Sequence, residues 1–158
     1  MLGIRYNVDL FVDKKTIKIP KGFNNSRRKE MSYSFSKKVD LSYEDALLKV
    51  TDELQKEGFG VLTEIDVKAT LKKKLDVDHK KYMILGACNP PLAHKALSAE
   101  PEIGLLLPCN VVVFEDENND TVVAAINART MMSVVGREDI GPIADEVNQK
   151  LVKVIENV

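Results

Sequence analysis

The sequence predicts an α+β domain of two layers, an antiparallel sheet with helices packed on it. Three observations carry this. The elements read strand, helix, four strands, helix, with small helices inserted after strands two and three. The last two strands are joined by the short polar turn Glu115 to Asp120, which makes an antiparallel hairpin the natural pairing. Finally, Ile143, Val147, Leu151, Val154 and Val158 form one apolar stripe, long enough to lay a helix across a sheet.

Residues 32–40 alternate, with Tyr33, Phe35 and Val39 breaking a Ser and Lys background, as a half-buried first strand does. Ser42 followed by Asp45 resembles a capping box, and Leu47, Val50 and Leu54 give the helix that follows a core-facing stripe. Gly58 ends it, because a helix C-terminus often needs positive φ. Phe59 to Ile65 is β-branched and aromatic and reads as strand two. Asp66 caps a short amphipathic helix whose stripe is Val67, Leu71 and Leu75 and whose Lys72, Lys73 and Lys74 form a solvated face. Tyr82 to Ala87 is strand three. Asn89 then caps a helix over Pro90 to Ala99, with Pro90 where a missing N–H costs nothing, and Pro101 stops it. Leu105 to Phe114 is the most hydrophobic run, interrupted by Pro108, and from Asn110 its Val-rich character suits a central strand. Thr121 to Asn127 is strand five. Arg129 to Arg137 has no clear element, Gly136 is its hinge, and Gly141-Pro142 opens the last helix.

At 158 residues, 44% hydrophobic and 30% charged, the chain is sized for one core. No apolar run is long enough to cross a bilayer, and the N-terminus lacks a secretory pattern, which predicts a soluble, cytoplasmic protein with no membrane partner. Two cysteines fit a reducing compartment. Residues 1–30 carry eight Lys or Arg against three Asp or Glu, whereas residues 31–158 carry 15 against 21. The acidic balance of the second part argues against a nucleic-acid face.

Residues 21–30 are poor in apolar groups and rich in Gly and Asn, so they read as a poorly ordered leader. The string Arg27-Arg28-Lys29-Glu30-Met31 is also the translation of a bacterial ribosome-binding site followed by a start codon. We therefore expect 1–30 to be a mis-called start and 31–158 to be the domain. Two other readings of the leader are a basic arm for an acidic partner and an extra edge hairpin pairing Ile4 to Val12 with Thr16 to Ile19.

The candidate chemistry lies in Cys88-Asn89-Pro90 and Pro108-Cys109-Asn110, which hold both cysteines. If strands three and four are antiparallel neighbours, these tripeptides fall at one end of the sheet. A thiol just before a helix N-terminus is favoured as thiolate. Asn89 and Asn110 would orient a small ligand, with His94 as a base or further contact. The competing reading takes the cysteines as small buried hydrophobes and the asparagines as turn caps. Metal binding is not expected, because neither cysteine has a second Cys or His within three residues. No cofactor is indicated. Nor are a Ser/His/Asp set, a nucleotide-binding glycine loop or paired catalytic carboxylates visible, so an enzyme is not asserted.

Three blocks in order, Gly58-Phe59-Gly60-Val61-Leu62-Thr63-Glu64-Ile65-Asp66, Leu85-Gly86-Ala87-Cys88-Asn89-Pro90 and Gly104 to Val113, resemble the signature blocks of the domain of unknown function 302 family. The resemblance covers about residues 33–157 and implies a curved sheet with a long helix across one face, similar to the TATA-binding-protein-like fold, often as a dimer. It implies no function. Two hypotheses stand: a small-ligand-binding or thiol-redox accessory domain with its site at Cys88, Asn89, Cys109, Asn110 and His94, or a non-catalytic module that dimerises through a sheet edge or the last helix.

If Met31 is the start, sequencing the gene will find AGG codons at Arg27 and Arg28. CGN codons at both positions remove the idea.

Overall fold

The computed structural model describes residues 32–158; the expected leader, Met31 and the alternative hairpin lie outside the described residues. Five strands, β1 (Ser34–Val39), β2 (Gly60–Asp66), β3 (Tyr82–Cys88), β4 (Cys109–Glu115) and β5 (Thr121–Ile126), form one sheet in the order β1-β5-β4-β3-β2. Every pairing is antiparallel. The helices are α1 (Tyr43–Lys56), α2 (Val67–Leu75), α3 (Pro90–Ala99), α4 (Ala128–Met132) and α5 (Gly141–Asn157). The α+β architecture, the central place of β4 and the long C-terminal helix are as the sequence predicts. Among the described residues no helix is long and apolar enough to cross a membrane.

Local sequence sets the helix boundaries. Ser42 Oγ accepts the Asp45 N–H at 3.1 Å, and Asp66 Oδ1 accepts the Ala69 N–H at 2.9 Å, so each cap satisfies a backbone donor that the first turn leaves free. Gly58 leaves α1 at φ +83, where a β-carbon would be strained. Arg129 to Arg137, which shows no clear element in the sequence, holds all but the first residue of α4 and a 3₁₀ turn over Ser133–Val135. Asn127 is the cap, its Oδ1 accepting from Thr130 N and from Asn148 Nδ2 of α5. Upstream of β4, where the sequence shows only that Pro101 stops a helix and that a hydrophobic run begins at Leu105, Pro101–Leu106 is a 3₁₀ helix.

One face of the sheet is the core. Val111, Val113 and Val123 are fully buried there with Leu85, against Val50 and Leu54 of α1 and Leu151 and Val154 of α5. Each such side chain contributes roughly 1.5–3 kcal/mol through burial. The apolar stripe of α5 faces this core, with Val147, Leu151 and Val154 buried and Ile143 and Val158 partly buried against it. The expected stripe of α2 is corrected: no residue of that helix is buried, and Leu75 is 66% exposed.

The edges are shaped against pairing. On β1, Lys38 bonds Asp120 Oδ2 at 2.6 Å and Asp116 Oδ2 at 2.9 Å, while Lys37 donates to the Glu156 carbonyl of α5. The Lys38 ammonium holds the Asp116 carboxyl below the usual carboxylate range. On β2, a register shift between Val61 and Thr63 breaks the ladder.

Gly86 is the tightest point of the sheet: a β-carbon there would overlap Thr63 Oγ1 and lie 2.8 Å from Pro108 Cγ. Gly86→Ala is expected to cost about 1–3 kcal/mol by overpacking. Adding Thr63→Ala recovers part of the loss and leaves the Pro108 conflict. Urea midpoints of the two variants check this, and a wild-type midpoint for Gly86→Ala contradicts it.

Candidate functional site

The strand order brings the two cysteine motifs to one corner. Cys109, the first residue of β4, lies opposite Ala87 of β3, and Cys88 lies opposite Gly60 of β2. Both thiols are free. Between them and Asn89, Phe59, Leu92 and Met132 is a cavity of about 20 Å³, room for about one water. Cys109 is 6% exposed, and burial, with a smaller contribution from the neighbouring Cys88, pushes its thiol up to about 11. It is therefore a protonated, apolar group at neutral pH. Cys88 is half-buried and is the more accessible of the two.

Asn89 is spent on structure. Its Oδ1 accepts the Leu92 N–H at 3.3 Å, capping α3, and its Nδ2 donates to the Glu57 carbonyl at the end of α1, also at 3.3 Å. Asn110 follows the alternation of β4 onto the opposite face, where it is exposed. His94 is exposed as well. Leu92 and Ala96 carry the buried side of α3, and a residue two positions from each points about 200° away on a helix. Cys88, Asn89 and Cys109 thus meet, and Asn110 and His94 stand apart from them.

The opposite face of the sheet holds a larger depression that motif reading missed. Register lines up Ile65, Ile84, Val112, Ala124 and Ser36 in one row across all five strands. Beside it a groove of about 340 Å³ is lined by Tyr33, Ser36, Tyr82, Asn110, Phe114 and Ala124, among others. Small Ser and Ala side chains sit between the aromatic ones, which creates the depression. Tyr82 and Phe114 stack with centroids 5.2 Å apart and planes at 18°, forming one wall. No residue of the lining carries a charge. The available signal was the alternation Asn110, Val112, Phe114 on one side of a strand whose other side, Val111 and Val113, is also apolar.

Among the described residues no group of three or more His, Cys, Asp or Glu side chains is placed to hold a metal ion.

These surroundings set the order of thiol reactivity. At pH 8 the folded protein is expected to take up iodoacetamide at Cys88 only, and Cys109 reacts when urea unfolds the chain. Raising the pH towards 11 increases the Cys109 rate about tenfold per unit, as the thiolate fraction does. Equal native labelling of both sites at pH 8, read by peptide mass spectrometry, overturns this.

No curated protein matches the chain. A solved structure, the crystal structure of uncharacterized conserved protein DUF302 from Bacillus stearothermophilus, is similar with TM-score 0.75 and 24% sequence identity, covering 79% of this chain and 97% of that one. At that identity the likeness shows the fold. The family model described as Domain of unknown function DUF302 matches residues 35–158, which takes in the sheet domain except the first residue of β1, and the chain belongs to this family.

Proposed function

We propose that the domain is a non-catalytic module that binds a small, uncharged, flat or amphipathic ligand on the open face of its sheet. The observation that carries this reading is the groove of about 340 Å³ with an uncharged lining, in a chain of which 30% of residues are charged. Its size falls within the range of small-molecule sites, and its composition is of the usual kind, an apolar floor with a few placed polar groups. Here those groups are the hydroxyls of Tyr33, Ser34, Ser36 and Tyr82 and the amide of Asn110.

Thiol chemistry at the cysteine corner is the weaker reading. The raised Cys109 pKa, the small cavity and the committed Asn89 side chain all weigh against it. A dimerisation module is the second reading, favoured by exposed apolar side chains at the β2–α2 end: Leu62 at 67%, Leu75 at 66%, Ile65 and Val77 at 47%. Sedimentation equilibrium at high micromolar concentration tests it, and a monomer there ends it.

For the ligand reading the probe is Nile red, an uncharged planar dye whose emission shifts in apolar surroundings. Binding is expected to saturate at one dye per chain. Ala124→Arg, which puts a long charged side chain on the floor, weakens it at least tenfold without moving the urea midpoint by more than a few tenths molar. Absent binding, or binding indifferent to Ala124→Arg, sinks the proposal.

A further inference from the structure

The groove on the open face does not end at its own rim. At one end, Asn110 and Ile126 also line a second cavity of about 150 Å³, enclosed by Leu105, Leu106, Leu107 and Met131. At the other, Tyr82 and Phe114 also line a third of about 470 Å³, whose remaining walls are Asp78, His79, Lys80, Glu115, Asp116 and Glu117. The three cavities thus follow one another along β4, each sharing wall residues with the next.

Its character changes along its length. The Leu-rich end carries no charge at all, and it includes Leu105, which is 86% exposed. The far end is polar and net acidic: its walls hold four carboxylates against Lys80, and each lysine that pairs them from outside also bonds a second acid, Lys38 with Asp120, Lys81 with Glu44 and Lys72 with Asp76. Lys38 pairs Asp116 at 2.9 Å, Lys81 pairs Glu115 at 3.7 Å and Lys72 pairs Asp78 at 3.2 Å. Lys80 Nζ is held by the Asp116 carbonyl and by Asn119 Oδ1. Such a mouth offers hydrogen bonds and repels an anionic head, while the uncharged groove beside it suits a head that carries no charge.

We infer that the ligand of this face is a linear aliphatic chain with an uncharged polar head, the chain lying along β4 towards Leu105 to Leu107 and the head at the Tyr82 and Phe114 end. This rests on the reading of the open sheet face as the ligand seat and names the ligand class for it. From Cys109 to Phe114 a strand advances roughly 17 Å at about 3.4 Å per residue. An extended chain gains about 3.5 Å for every three bonds, so an alkyl chain of that extent has about 14 carbons.

The test is displacement of Nile red by 1-alkanols of six to twelve carbons, each below its solubility limit. In the wild-type protein affinity is expected to rise about two- to fourfold per added methylene, the gain that burying each one brings. Met131→Glu, which places a carboxylate in the Leu-rich end, removes the rise from octanol to dodecanol. Dodecanol also displaces the dye at least tenfold better than dodecanoate or dodecyltrimethylammonium at concentrations below their micelle formation. A flat chain-length series, an unaltered series in Met131→Glu or a preference for either charged head overturns the inference while Nile red still binds. Loss of Nile red binding itself fails the groove, a different result.

Discussion

Everything in the molecule hangs on the carboxamide of Asn89. β1 and β2 are successive in the chain but occupy opposite borders of the sheet, so α1 must cross three intervening strands and be released at a fixed place beside β3. Asn89 fixes it. Its amide nitrogen grips the last carbonyl region of α1 at Glu57 while its oxygen starts α3. Lys150 of α5 donates to the same Glu57 carbonyl at 3.2 Å. Three helices that share the buried face therefore meet through one backbone oxygen and one nearly buried side chain, 8% exposed. A buried amide with both ends bonded is cheap to keep and expensive to lose.

The same device recurs at the other end of the core. Asn127 leaves β5, starts α4, bonds Asn148 of α5 and donates to the carbonyl of Ser32 at 2.9 Å. Both asparagines stand where a strand passes directly into a helix without a linking loop. At such a junction the first-turn N–H groups have no solvent to turn to, and a short side-chain acceptor is the one group that reaches them. The apolar contacts between the layers supply most of the burial energy, and these two polar junctions fix where the helices start against the sheet.

Much of this was legible in the residues, for reasons that can be named. Ser42, Gly58, Asp66, Asn89 and Pro90 act locally, so their roles survive any tertiary arrangement. The cysteines converge because β3 and β4 pair, which a Val-rich central strand already suggests. Asn110 and His94 failed to join them for equally simple reasons, strand alternation for one and helix phase for the other. α4 was hidden because five residues are too few to show a period. The open-face groove was hidden more deeply. A strand with apolar residues on both sides reads as covered on both sides, and only the placement of α1 and α5 on one face tells which side is left open.

The guarded borders of the sheet have a consequence for how the protein behaves in a crowded cell. At one border the ammonium of Lys38 is drawn onto the β4–β5 turn and Lys37 is tied to the end of α5; at the other the ladder is interrupted after Val61. Both devices work against a neighbouring chain continuing the sheet, the step by which fibres grow. An association through side chains, which such borders favour over a shared backbone ladder, remains reversible.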